Sequence, residues 1–162
     1  NAISSGLVGE AGGIETNGAG ILIAHESSWI NNNRNPSLSK DQISKRLLAA
    51  YGADQIIWSS GVAGLDITDY HIDSLARFVA PNHVVANLPA QLDTYDPFHR
   101  AAVETIATLR DRGVTVDVIE EPAKPRVRDL DFVASYVNHY ICNGAIIMAE
   151  FGDTDSDQHA AA

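Results

Sequence analysis

The sequence is short of cysteine and contains no long apolar run. Its only cysteine, Cys142, excludes an internal disulfide framework and any zinc site built from several cysteines. No run reaches the roughly 18 apolar residues that a membrane-spanning helix needs, and no basic segment followed by an apolar one opens the chain. We therefore expect no membrane partner and no signal peptide, which leaves the compartment open and favours the cytoplasm.

Basic residues are also scarce, with 11 lysines and arginines against 21 aspartates and glutamates, for a net charge of -10 among 162 residues. Such a chain repels the phosphates of nucleic acids and attracts cations. We therefore predict a cationic small molecule or peptide as the partner, and no nucleic acid. The 45% hydrophobic content is enough to bury a core. Because the chain opens at Asn1 and stops at Ala162 inside a predicted helix, we expect a piece of a longer protein.

A pattern of strand, strand, helix and strand recurs along the chain, which indicates an α/β fold. We expect two complete units and a truncated third, all parts of a single domain that covers residues 1–162. The units are placed at about 12–58, 73–119 and 134–162. Their hairpins begin about 61 residues apart, and a constant spacing of this length is typical of a modular repeat.

Turn and capping residues supply the bounds of the predicted elements. Asn17-Gly18 and Asn143-Gly144 favour tight hairpin turns, and Ser39 can cap the first long helix. The predicted strands cover 12–16, 20–24, 55–58, 72–79, 83–88, 114–119, 132–142 and 145–149. The predicted helices cover 40–51 and 98–112, and a third starts after residue 153.

One stretch, residues 64–78, gathers three carboxylates and a histidine and ends in an apolar, strand-like run. Its polar members are Asp66, Asp69, His71 and Asp73. In a strand, His71 and Asp73 would point the same way about 7 Å apart, close enough to flank a small planar cation. The alternative is a polar loop that enters a strand, with His71 hydrogen-bonded to a neighbouring carboxylate.

Several separated motifs resemble agmatine deiminases and the related bacterial, Porphyromonas-type peptidylarginine deiminases. The motifs are Glu10-Ala11-Gly12-Gly13, Asn33-Arg34-Asn35-Pro36, Ile56-Ile57-Trp58, Asp66-Ile67-Thr68-Asp69-Tyr70-His71-Ile72-Asp73, Ser135-Tyr136-Val137-Asn138 and Phe151-Gly152-Asp153. They follow the order of the family over nearly the whole chain. The resemblance implies a pentein fold, in which five strand-strand-helix-strand modules form a propeller about a central site, and about two and a half of these modules would lie here.

The resemblance also implies a reaction and three site residues. These enzymes hydrolyse a guanidinium to a ureido group and ammonia through a covalent thiouronium on a cysteine, without a metal or organic cofactor. Asp73 resembles the carboxylate that binds the guanidinium, a planar group with forked N–H donors. His71 resembles the general acid and base, and Glu10 resembles the carboxylate that orients this histidine.

Three further polar residues are candidate substrate contacts, and each has a structural alternative. Asn138 resembles a residue that lines the site in the peptidylarginine branch; otherwise it is a buried amide at a hairpin. Asp66 and Asp69 either bind the remote amine of the substrate or brace the loop before His71. Arg77 and Phe78 are interpreted as scaffold.

The nucleophile of the family belongs to a Gly-Gly-Gly-x-His-Cys type stretch, which this sequence does not contain. Cys142 lies four residues beyond Asn138 on one predicted strand, roughly 13 Å along the backbone, so we expect a small buried thiol there and not the nucleophile. The isolated chain is therefore predicted to be inactive, and the nucleophile is expected outside it.

We favour an agmatine deiminase, which converts agmatine and water to N-carbamoylputrescine and ammonia in putrescine biosynthesis, because residues 33–58 follow the agmatine pattern. A protein-arginine deiminase is the nearest alternative. Another is a non-catalytic binding or assembly module, and the last is a metal-dependent hydrolase that uses Asp66, Asp69, His71 and Asp73 as ligands. Homo-oligomer formation stays open.

Overall fold

The computed structural model describes residues 4–127 and 132–162, whose strands and helices alternate in an α/β arrangement. The strands are β1 (Ile14–Thr16), β2 (Ile21–His25), β3 (Gln55–Ser59), β4 (Ala76–Ala80), β5 (His83–Leu88), β6 (Thr115–Glu120), β7 (Tyr140–Cys142) and β8 (Ala145–Ile147). The helices are α1 (Glu26–Trp29), α2 (Lys40–Tyr51), α3 (Pro97–Asp111) and α4 (Thr154–Ala160), with 3₁₀ turns at Ala11–Gly13 and Ile72–Ser74. Within the two described ranges, no helix has the length and apolar character to cross a membrane.

The first two sheets share one topology. In the first sheet, β1 pairs antiparallel with β2, and β2 pairs parallel with β3. In the second, β4 pairs antiparallel with β5, and β5 pairs parallel with β6. A helix connects each parallel pair, α2 in the first sheet and α3 in the second, so both follow the predicted order of strand, strand, helix and strand. The antiparallel hairpin of β7 and β8 forms a third, two-stranded sheet.

Local sequence explains α2. The Ser39 side chain accepts a hydrogen bond from the N–H of Gln42 at 3.3 Å, and the Gln42 side chain accepts one from the N–H of Ser39 at 2.9 Å. This reciprocal cap satisfies N–H groups that have no partner within the helix. Gly52 ends the helix in the left-handed conformation, with φ of 62°. The predicted bounds of 40–51 are confirmed.

Two apolar clusters hold the sheets and helices together. The smaller one packs α1 and α2 on the first sheet and contains Ile14, Leu22, Ala24, Trp29, Ile43 and Leu47. The larger one packs α3 on the second sheet, and it also contains Ile23 and Ile57 of the first sheet and Ile72 of the connecting segment. Because the larger cluster draws on both sheets, it fixes their relative position and buries the segment that leads into β4.

The predicted strand over 72–79 is wrong at its start. Residues 72–74 form a 3₁₀ turn, and β4 begins only at Ala76. Asp69 and Tyr70 have φ of 58° and 64°, so the backbone turns sharply just before His71, a conformation incompatible with an extended strand. The expected alternation of His71 and Asp73 along one strand is therefore wrong as well.

The predicted strand over 132–142 is also wrong, because only β7 at its end is extended. Residues 135–137 are buried in a loop, where the N–H of Tyr136 donates to Asn87 Oδ1 at 3.3 Å and its hydroxyl donates to Asp157 Oδ1 at 2.8 Å. Side chains thus satisfy polar groups of this loop without a strand ladder. Asn138 and Cys142 therefore do not lie on one strand, and the distance predicted between them from strand geometry is wrong. Cys142 is partly exposed, whereas a buried thiol was predicted.

Candidate active site

Two side chains of the acidic stretch converge on one glycine. A Cβ atom built on Gly12 would lie 2.7 Å from His71 Nδ1 and 2.5 Å from Asp73 Oδ2. The two side chains therefore pack side by side against Gly12, although a turn and not a strand brings them there. An imidazole and a carboxylate that face one point can bind a small cation and exchange protons with it.

Glu10 lies on the far side of the imidazole. His71 Nε2 is 3.2 Å from Glu10 Oε2, so the ring donates to the carboxylate through this nitrogen and turns Nδ1 toward Gly12 and Asp73. The His71 side chain is 12% exposed, whereas that of Glu10 is 50% exposed. This is the geometry expected of an orienting carboxylate and an acid/base histidine.

Arg34 is the residue of this region that sequence reasoning missed. Its buried guanidinium donates from Nε to Glu10 Oε2 at 2.7 Å, from Nη1 to Asp69 Oδ2 at 2.5 Å and from Nη2 to the carbonyl of Thr68 at 3.1 Å. The hydrogen bond from Arg34 is the main cause that lowers the pKa of Glu10, the bond from His71 adds to it, and partial desolvation opposes both. An arginine in an aperiodic loop gives no sequence pattern that indicates burial.

Asp66 and Asp69 brace the loop before His71. Asp66 Oδ1 accepts hydrogen bonds at 2.6 Å from both the N–H and the hydroxyl of Thr68. Asp69 is buried, and its Oδ1 accepts from the N–H of Gly64 at 2.6 Å. Burial tends to raise the pKa of Asp69, but the bonds from Gly64 and Arg34 outweigh it and lower this pKa overall. These contacts correspond to the structural alternative for both residues.

A second buried network fixes the turn at Asp69 and Tyr70. Ser27 Oγ donates to the carbonyl of Asp69 at 2.6 Å, and His25 Nδ1 donates to the carbonyl of Tyr70 at 2.7 Å. His25 is fully buried, stacks on the Tyr70 ring at 4.7 Å and places Nε2 3.1 Å from Thr105 Oγ1. Burial lowers the pKa of His25 to about 4, so this ring is neutral at pH 7.

Asp73 is the carboxylate of this group that remains available to a ligand. In the part of the chain that the structure describes, no side chain donates a hydrogen bond to it. Burial raises the pKa of Asp73, and the nearby charges of His71 and Arg77 partly offset that effect. Arg77 itself pairs with Glu15, with Nε 3.1 Å from Oε2.

The structure does not join the remaining candidates to this group. Asn138 is exposed in the turn before β7, and no described hydrogen bond connects it with Glu10, His71 or Asp73. Cys142 ends β7 at the hairpin turn and likewise has no hydrogen bond to those residues within the described ranges. Nor do residues 4–127 and 132–162 contain three or more histidines, cysteines or carboxylates arranged to hold a metal ion.

The whole chain, residues 1–162, matches the family model of Porphyromonas-type peptidyl-arginine deiminase. The chain belongs to this family. The prediction made from the separated motifs is thereby confirmed. An agmatine deiminase of Medicago truncatula is 34% identical over 97% of this chain and 48% of its own length.

Solved structures of family relatives have a similar fold. A C. jejuni agmatine deiminase variant, with a cysteine replaced by serine and substrate bound, matches 94% of this chain and 45% of that chain, with a TM-score of 0.80 and 31% identity. An agmatine deiminase of Enterococcus faecalis matches 93% of this chain and 47% of that chain, with a TM-score of 0.80 and 26% identity. The chain thus spans about half the length of the relatives it matches.

Proposed function

We propose that this chain supplies the acid/base and guanidinium-binding groups of a guanidino-group deiminase that acts on agmatine. The observation that carries the proposal is the convergence of His71 and Asp73 on Gly12, with Glu10 hydrogen-bonded to the far nitrogen of the imidazole. Membership of the family supports the reaction class. The relatives named as agmatine deiminases support agmatine over peptidyl-arginine.

In the proposed reaction, Asp73 accepts hydrogen bonds from the guanidinium and holds its central carbon for attack. A cysteine thiolate from outside residues 1–162 adds to that carbon, and His71 donates the proton with which ammonia leaves, so that a thiouronium remains. His71 then takes a proton from a water molecule that attacks the same carbon. The carbon–sulfur bond breaks, and the products are the ureido compound and the free cysteine. No step requires a metal or an organic cofactor.

We also propose that residues 12–58, 73–119 and 134–162 are successive modules of one pentein-type domain. The common topology of the first two sheets supports the first two modules. The β7–β8 hairpin followed by α4 supports the start of a third. The larger apolar cluster, which crosses from the first sheet to the second and includes Ile72 next to His71, supports a single domain for these modules.

The proposal is tested in the protein that contains this chain, by an assay for ureido product with agmatine and with a peptidyl-arginine substrate. We expect product from agmatine, and a turnover at least about 10²-fold lower in His71→Ala. His83→Ala removes a half-buried histidine on β5, outside the site, and serves as the matched control. Product from peptidyl-arginine alone would make the protein-arginine alternative correct. Product from neither substrate would favour the binding module.

A further inference from the structure

We propose that Arg34 is a positioning residue that holds the Glu10 carboxylate against His71. This inference deepens the proposed function, on which its kinetic readout rests. The guanidinium and the imidazole bind the same atom, because Arg34 Nε lies 2.7 Å and His71 Nε2 lies 3.2 Å from Glu10 Oε2. A movement of that oxygen therefore changes the orientation of the acid/base group.

Glu10 needs such a partner because its own surroundings do little to fix it. Its side chain is half exposed, at 50%, and it precedes the 3₁₀ turn Ala11–Gly13 outside any strand or helix. An exposed glutamate side chain keeps several rotamers in solution, and ordering it costs conformational entropy. Arg34, with a side chain only 6% exposed, supplies a fixed donor that selects one of these rotamers.

Arg34 can act as a fixed donor because its other N–H groups are also held. Nη1 donates to the buried carboxylate of Asp69 and Nη2 to the carbonyl of Thr68. A guanidinium is planar, so two occupied positions determine the direction of the third. Arg34 thus connects the loop before His71 with the carboxylate of Glu10. Glu10 Oε2 in turn contacts His71, so the position of this loop affects the orientation of the imidazole.

The charge of Arg34 has a second effect on Glu10. Its hydrogen bond and charge lower the pKa of this carboxyl and so favour the carboxylate form, which accepts the hydrogen bond from His71. A simple brace of the loop would need only the contacts with Asp69 and Thr68. The bond to Glu10 distinguishes a positioning residue from a brace. The experiment must therefore separate the effect of this bond from that of the bonds to Asp69 and Thr68.

Five variants of the protein that contains this chain make this separation. Arg34→Gln removes the bond to Glu10 as well as the bonds to Asp69 and Thr68. The isosteric Asp69→Asn weakens only the brace of the loop and leaves the bond from Arg34 to Glu10. Arg34→Lys retains the charge without the planar fork. Glu10→Gln, alone and combined with Arg34→Gln, completes a double-mutant cycle. The melting temperature is measured for every variant, so that loss of stability is recorded separately from loss of turnover.

For agmatine deimination, we expect Arg34→Gln to lower kcat by about 10- to 100-fold, the usual cost of losing a group that orients a catalytic one. KM should change by less than about 3-fold, because Arg34 does not contact Asp73. Arg34→Lys should restore part of kcat, and Asp69→Asn should cost less kcat than Arg34→Gln at a similar loss of melting temperature. In the Glu10→Gln background, adding Arg34→Gln should lower kcat by a further factor of less than about 2. An undiminished effect there would overturn the inference.

A readout that does not need turnover separates this inference from the proposed function. If the wild type yields no ureido product, the function is wrong, and the Glu10 carboxyl is titrated by ¹³C NMR instead. A higher pKa of Glu10 in Arg34→Gln than in Asp69→Asn supports positioning by Arg34. The same pKa in the wild type and in Arg34→Gln overturns it.

Discussion

Gly12 lies so close to Asp73 that a Cβ atom at position 12 would come within 2.5 Å of Asp73 Oδ2. Real Cβ atoms do not approach other atoms this closely, so any larger residue must displace the carboxylate. The glycine is thus required for space and not for an unusual backbone angle. Position 12 sets the distance between the 3₁₀ turn Ala11–Gly13 and the turn that contains Asp73.

The Gly12→Ala variant should therefore damage the site more than the fold. We expect kcat/KM for agmatine to fall by about 10²-fold, since a displacement of about 1 Å of a binding group has this effect. Gly18→Asn is the matched control, because no atom lies within 4 Å of the Cβ position at Gly18 and asparagine tolerates its φ of 66°. Equal kinetics in the Gly12 and Gly18 variants would contradict the assignment of Asp73 to the substrate site.

Asp73→Asn tests the contact with the guanidinium. The amide keeps the shape of the carboxylate, but it loses the negative charge and one acceptor, so binding of a planar cation should weaken. We expect KM for agmatine to rise at least about 10-fold, together with a fall in kcat, in steady-state assays. Asp117→Asn, which replaces the exposed hydrogen-bond partner of His83, should leave both constants unchanged. An unaltered KM in Asp73→Asn would remove this residue from the site.

The sequence predicted a structural feature well where the interacting residues are close together along the chain, and poorly where they are far apart. The helix α2 was predicted to the residue, because its capping box and its terminal Gly52 act within one turn. The site was predicted through the family motifs, since Glu10 and His71 are 61 residues apart and no spacing rule links them. Arg34 had no assigned role, because its carboxylate partners lie 24 and 35 residues away.

The two incorrect strands have the same physical origin. Residues 72–79 and 132–142 are rich in apolar, β-branched and aromatic side chains, a composition typical of strands. Contacts between distant segments, such as Ser27 with Asp69 and Asn87 with Tyr136, impose turns there instead. These contacts span 42 and 49 residues. A local pattern cannot contain this information, so tertiary hydrogen bonds override it.

His25 should make the stability of the fold dependent on pH. An exposed histidine has a pKa near 6.5, whereas burial lowers the pKa of His25 to about 4. Between these values the unfolded chain binds a proton that the folded chain does not. Stability contributed by the neutral ring is therefore complete above pH 6.5 and is lost as pH falls toward 4. The difference corresponds to about 3 kcal/mol of unfolding free energy.

Urea denaturation at pH 7 and pH 4 measures this effect. We expect His25→Asn to be less stable than the wild type at pH 7, since it disrupts the buried network around Tyr70. It should nevertheless lose less stability than the wild type between the two pH values. His83→Asn removes a partly exposed histidine on β5 and serves as the control for a histidine outside the buried network. A decrease in His25→Asn as large as that in the wild type would contradict the prediction.

The last prediction concerns the one cysteine of the chain. Cys142 lies at the β7–β8 turn, is partly exposed, and has no hydrogen bond to Glu10, His71 or Asp73 within the described residues. Covalent catalysis requires a thiolate that reaches the guanidinium carbon held at Asp73. We therefore expect Cys142→Ser to retain wild-type kcat in the protein that contains this chain.

The 162-residue chain by itself should form no ureido product from agmatine or peptidyl-arginine, as measured by mass spectrometry. A haloacetamidine reagent should modify Cys142 no faster than an ordinary exposed thiol, because the residues proposed to activate a nucleophile do not contact it. Binding of agmatine to Asp73 could persist, but with part of the pocket absent it should be no tighter than about millimolar, or about -4 kcal/mol. Deimination by the isolated chain that disappears in Cys142→Ser would identify this thiol as the nucleophile, and the reaction proposed above would then need no cysteine from outside it.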